Sequence, residues 1–180
     1  MDGDGEHDRL DQWLVDVRGD DARISRQRER WLAQQTAENA TLVGALVDLT
    51  ESNEPVVVET LAGRRINGLL RAVGLDFCAI VEHNRWVLIP LGAVTSVRST
   101  TAKQRGVNSD RPAPLDSTLT EALVDLLEER ARLAVSVVAG EHLAGVLHNV
   151  GQDLVTLRLD GEGDRRAHVP LAAVSSIVVS

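Results

Sequence analysis

Five histidines, His7, His83, His142, His148 and His168, are the side chains of this sequence best suited to hold a metal or carry a proton. No pair of them has the spacing of a known ligand motif. His142 and His168 fall on segments that read as neighbouring strands, so they are the one metal pair the pattern permits; solvated histidines fit it better. The single cysteine, Cys78, sits among Phe77, Ala79, Ile80 and Val81. That apolar setting predicts a small buried hydrophobe and not a nucleophile. Serines fall at strand ends and in a polar linker, without the G-x-S-x-G turn of a hydrolase. Asp48 with Glu51, and Asp125 with Glu128, are spaced i, i+3 on helical segments, which predicts a solvated face or partners for arginines across an interface. Gly161-Glu-Gly163 reads as a hairpin turn, not a phosphate loop. With no polar groups converging on a cleft, the expectation is a chain that is not an enzyme and takes no metal or cofactor.

Charge narrows the remaining classes. The 180 residues carry 27 acidic against 19 basic side chains, a net charge of −8. That balance opposes unspecific binding to phosphate backbones. All of the basic residues except Lys103 are arginine, which reads as GC-rich coding before it reads as selection for guanidinium contacts. No apolar run reaches the roughly 18 residues of a membrane span, and the acidic start is unlike a secretory signal. The expected setting is the cytoplasm.

The elements repeat. Thr41-Leu42, Ala45-Leu46-Val47-Asp48-Leu49 and Glu51 recur as Thr118-Leu119, Ala122-Leu123-Val124-Asp125-Leu126 and Glu128, 77 positions later. At the same offset Ala62-Gly63, Gly68, Leu70, Val73-Gly74 and Asp76 match Ala139-Gly140, Gly145, Leu147, Val150-Gly151 and Asp153. After a three-residue insertion, Pro90-Leu91 and Ala93-Val94 match Pro170-Leu171 and Ala173-Val174 at an offset of 80. This order predicts a tandem duplication. Each unit opens with a helical stripe, Leu42, Leu46 and Leu49 in the first and Leu119, Leu123 and Leu126 in the second, where Thr118 and Glu121 suit a capping box.

Five β-branched runs follow in each unit: Val56–Thr60, Arg64–Val73, Asp76–His83, Arg85–Pro90 and Ala93–Arg98, then Leu133–Val138, His142–Val150, Asp153–Asp160, Arg165–Pro170 and Ala173–Val179. Short, evenly spaced strands predict an antiparallel meander closing into a small barrel, bent at Gly68 and Gly145, with a single 3₁₀ turn before the last strand. The fold class is therefore mainly β with helices (α+β): two tandem five-stranded barrels, residues 41–98 and 118–180. The predicted core is Val58, Ile66, Leu70, Ile80 and Val94 with Val135, Leu143, Leu147, Leu157 and Val174. Each unit is expected to superpose on the other, and one continuous sheet, or parallel strands, would make the repeat reading wrong. Residues 99–117 read as a linker, 22–40 as an arm helix, and 1–21, with eight acidic residues against two arginines, as a mobile arm. On the arm helix, Trp31 lies near Arg26, Arg28 and Arg30; it either packs on a barrel face or, with Arg28 and Arg30, anchors a partner.

A helix, a bent five-strand meander and a turn before the last strand resemble the Sm-like fold. Gly63-Arg-Arg-Ile-Asn-Gly68-Leu-Leu is similar to the first Sm motif, and Ile89–Val97 and Val169–Ile177 are similar to the end of Hfq-type Sm-like RNA chaperones. From about Arg30 onward the chain also resembles an actinobacterial family with two such units behind a helical arm. The resemblance implies barrels paired through strand edges, within the chain or between copies, and invites an RNA- or DNA-binding function. The residues that carry that function in the family mostly fail to transfer. Leu91-Gly92 and Leu171-Ala172 stand where a Lys-His pair is expected, and Cys78 and Val155 stand near the expected pocket asparagine. Phe77 lies where an aromatic would stack on a base, although its counterpart is Leu154 and core packing accounts for it. The leading expectation is a non-catalytic interaction or assembly module, a regulator or scaffold that pairs with itself and with a further protein; the alternative is a nucleic-acid-binding regulator with a degenerate pocket.

Overall fold

The structure is a computed structural model that describes residues 41–101, 115–161, 163 and 165–180. The acidic arm, the arm helix with Trp31, Arg28 and Arg30, and most of the linker lie outside the described residues.

Each half begins with the expected helix. In α1 (Leu42–Ser52) the Thr41 side chain accepts a hydrogen bond from the Gly44 N–H, and the helix stops at Asn53, whose φ of 51° is left-handed. Leu46 and Val47 are its buried anchors, while Leu42 is exposed and does not join the stripe. In α2 (Leu119–Glu128) Thr118 and Glu121 form the reciprocal capping box. The N–H and hydroxyl of Thr118 hold the Glu121 carboxyl below its ordinary range, so this cap weakens as acid protonates it.

Ten strands follow, all antiparallel: β1 (Pro55–Thr60), β2 (Arg65–Val73), β3 (Phe77–Glu82), β4 (Arg85–Pro90), β5 (Val94–Ser99), β6 (Arg132–Val137), β7 (His142–Val150), β8 (Leu154–Leu159), β9 (Arg166–Pro170) and β10 (Val174–Val179). Their ends agree with the sequence expectation to within one or two residues. The 3₁₀ turns Leu91–Ala93 and Leu171–Ala173 precede β5 and β10 as expected. The tight turns after β1 and β6 rest on Gly63 and Gly140, at φ 72° and 89°, where a Cβ would be strained.

The arrangement of the sheet corrects two expectations. The strand order is β5-β1-β2-β3-β4-β10-β6-β7-β8-β9, one continuous sheet with β5 and β9 at its edges. Neither set of five closes on itself, and the single sheet is the arrangement that counts against the repeat reading. The physical reason lies at β4: an unpaired strand edge presents a row of open N–H and C=O groups, and β10 takes them up through Ile177↔Leu88, Val178↔Val87 and Val179↔Trp86. The strand order on the two sides of this joint is nevertheless the same, 5-1-2-3-4 and then 10-6-7-8-9.

Two cores result. One gathers Leu46, Val56, Val58, Ile66, Leu70, Cys78, Ile80, Val87 and Ile89; the other gathers Leu119, Leu123, Leu133, Val135, Leu147, Val155, Leu157 and Ile177. Eight of the ten predicted core positions are buried. Val94 and Leu143 are only half-buried. Val94 lies on the free edge strand β5, whereas its counterpart Val174, on the central strand β10, is covered from both sides.

Candidate functional site

The most distinctive feature is the joint between β4 and β10. Successive residues of a strand point to opposite faces, and here both faces are used. Cys78, Ile80, Val87 and Ile89 face the first core, while Phe77, Ala79 and Leu88 on the same strands face the second. In exchange β10 sends Ile177 into the second core and Val178 into the first. The unbroken apolar run from Phe77 to Val81 reflects this double burial, as in strands covered on both sides.

Polar groups finish the joint. Arg64 reaches Ser176 on β10 at 3.4 Å and Glu82 on β3 at 3.4 Å, and Glu82 also accepts the Asn67 N–H at 2.9 Å. Asp76, in the β2–β3 turn, accepts the Leu119 N–H at 2.7 Å, so a carboxylate of the first half caps the helix of the second. Ser175, the residue bulged out of the β10–β6 register, buries its hydroxyl with no hydrogen-bond partner among the described residues.

At the free β5 edge, Glu59 accepts from Arg65 at 2.9 and 3.1 Å, from Arg98 at 2.9 Å and from Ser96 at 3.2 Å. The Arg65 hydrogen bonds, ahead of Ser96 and the Arg98 charge, hold the Glu59 carboxyl below its ordinary range. A shallow groove of about 420 Å³ runs beside this cluster, lined by Glu59, Thr60, Gly63, Arg65 and Thr95. Its one lining carboxylate, Glu59, is shared between the guanidiniums of Arg65 and Arg98, so the cluster holds one negative and two positive charges.

The other edge carries a different surface. Arg158 on β8 stands directly opposite Arg166 on β9, and Thr156 stands opposite His168. Arg158, Arg166 and His168 are exposed. The corresponding positions of the first half, read at offsets of 77 and 80, are Val81, Trp86, Ala79 and Leu88.

No protein-family model matches the sequence, and no curated protein does either. The functional reading of the chain therefore rests on its own geometry.

The residues singled out from sequence are scattered across it. His142 Nδ1 lies 2.9 Å from Ser136 Oγ, and His168 Nδ1 lies 3.0 Å from Thr156 Oγ1. They do not meet. Thr156, the neighbour of His168, pairs on its other side with Asn149, seven residues along β7 from His142, roughly 23 Å of strand. Among the described residues no group of three or more His, Cys, Asp or Glu is placed to hold a metal ion, and no helix is long and apolar enough to cross a membrane. Phe77 is 4 % exposed and packs into the second core, which leaves no face for a nucleic-acid base. The serine expectation was incomplete: Ser136, Ser175 and Ser176 are buried within strands. No sequence motif marks the Glu59 cluster. Its signal was the pairing of Glu59 with Arg65 across the Ala62-Gly63 turn, which follows once the hairpin register is set.

Cys78 is fully buried, and the loss of solvent pushes its thiol up to about 12. A disulfide-exchange reagent is therefore expected to leave the folded protein unlabelled at neutral pH and to label it completely in denaturant. Rapid labelling of the native protein would place Cys78 at an accessible surface.

Proposed function

We propose that the chain is a non-catalytic interaction and assembly module, two Sm-like units joined edge to edge, working as a regulator or scaffold. The observation that carries this reading is the β4–β10 joint, where each half supplies residues to the other's core. A chain built to pair strand edges uses its apolar and polar groups for recognition. The polar side chains described above are bonded to one another, which favours binding over catalysis. The joint supports self-pairing within the chain ahead of assembly between copies.

The second reading, a regulator binding RNA or DNA, is separated by a gel shift of the full chain with a mixed RNA pool across a salt series. With a net charge of −8 few phosphates can be neutralised, so no binding tighter than about 10 μM is expected at physiological salt. Sequence-selective binding well below that concentration would overturn the proposal in favour of the nucleic-acid reading.

A further inference from the structure

The parts that make the β4–β10 joint recur, at offsets of 77 and 80, at the two ends of the sheet, where the free edges β5 and β9 match β10 and β4. Across the joint Asp76 caps α2 by accepting the Leu119 N–H at 2.7 Å. Its match, Asp153, holds the same turn. The Asp76 carbonyl accepts the Leu91 N–H at 2.8 Å, and the Asp153 carbonyl accepts the Leu171 N–H at 2.7 Å. The Asp153 side chain is exposed. Leu119, beneath the joint, is 4 % exposed, whereas its match Leu42, at the start of α1, is 41 % exposed. Ile66 and Val87 are sealed in the first core, which Val178 completes; their matches Leu143 and Ala167 are only partly buried in the second.

Resting on the reading of the chain as an interaction module, we propose that the β9 edge takes the β5 edge of a second copy of this chain, in the register of the internal joint. Val97 of the second copy would then lie opposite His168, and Arg98 of the second copy opposite Ala167. The Leu159 N–H donates to the Arg165 carbonyl at 2.9 Å, so antiparallel alternation turns the main-chain groups of Arg166 and His168 to the open side, where the incoming strand bonds them. Asp153 would cap α1 of the second copy at its Leu42 N–H, and Leu42 would be covered as Leu119 is.

Charge complementarity supports this seating. Across the internal joint Arg64 reaches Ser176 at 3.4 Å. The match of Arg64 is Glu141, exposed and of opposite charge. The match of Ser176 is Ser96, which bonds Glu59 in the cluster of one carboxylate and two guanidiniums. Glu141 would therefore arrive beside Arg65 and Arg98 of the second copy as a second negative charge. Arg98 stands where the internal joint has Val178, on the face it shares with Ala167, and its aliphatic stem covers that apolar patch. His168 stands where the internal joint has Leu88. These two polar replacements make the contact between copies weaker than the internal joint, and therefore reversible and dependent on concentration. Because the two edges are different surfaces, copies add head to tail.

The test is sedimentation velocity of the full chain from about 1 μM to about 1 mM, over which association is expected to rise with concentration. Glu141→Arg brings a third guanidinium to the seam, and Arg98→Glu brings carboxylates together there. Each is expected to weaken association at least about tenfold, and the double variant to recover it. His168→Pro removes an outward N–H at an edge position that tolerates proline and is expected to cause a similar loss. His168→Leu restores the residue of the internal joint and is expected to strengthen association. Circular dichroism should show all of them folded. A chain that stays monomeric throughout, association that Glu141→Arg and a folded His168→Pro leave unchanged, or a double variant without recovery would overturn the seam. A monomer without an RNA shift overturns this proposal alone; selective RNA binding overturns the module reading as well.

Discussion

Gly145→Ala is expected to destabilise the protein by about 3 kcal/mol or more, at the upper end of what overpacking costs. A Cβ at this position would lie 2.2 Å from the Arg158 carbonyl oxygen and 2.8 Å from its carbon. Both atoms belong to the backbone of β8, so no side-chain rotation relieves the clash. Relief requires opening the Gly145↔Leu159 pairing in mid-sheet. Gly68 is the equivalent position in the first half, where a Cβ would meet the Val81 carbonyl oxygen at 2.3 Å. The two glycines are where β7 and β2 lie tightly against their neighbours. Gly92→Ala is the control, because a Cβ there meets nothing within 4 Å and the backbone is not left-handed. Urea unfolding followed by circular dichroism should show a large loss for Gly145→Ala and Gly68→Ala and a small change of either sign for Gly92→Ala. Equal midpoints for all three would mean that the strands do not approach as closely as described.

Phe77→Ala is expected to cost about 3–5 kcal/mol, the range for emptying a buried aromatic site. The ring belongs by sequence to the first half and by packing to the core of the second. Its removal should therefore lower the stability of both halves together. Trp86 fluorescence, read from β4 after Trp13→Phe and Trp31→Phe, and far-ultraviolet circular dichroism should lose their native signals at one common, lowered midpoint. Two separated transitions would mean that the cores fold independently. Unaltered stability accompanied by loss of RNA binding would give Phe77 the role of a base-stacking residue.

Local structure was legible in the sequence because local periodicity determines it. The helical stripes, the capping box, the mid-strand glycines and the strand ends all follow from residue spacing within ten positions or so. What local spacing does not encode is which edges meet. The joint between β4 and β10 pairs residues some ninety positions apart, and each strand on its own satisfies the same alternation whether its edge is free or paired. Two signals did point to it. Phe77 to Val81 lacks the alternation of a half-exposed strand. The buried Leu88 also becomes the exposed His168 at the matched position of the second half. The Glu59–Arg65–Arg98 network was harder to see, since Arg98 reaches Glu59 from β5, a strand made long after the hairpin that holds the other two.

The exchange of residues across the joint has a consequence for how the protein comes off the ribosome. In chain order β10 follows every other strand, and it carries Val178, which completes the first core. The first half is therefore synthesised with its β4 edge bare and a side of its core open to water, and it waits in that state until the last strand emerges. Over that interval the nascent chain depends on its surroundings to keep other strands away from β4, and a stall in translation before Val174 would leave that edge exposed to whatever strand arrives first.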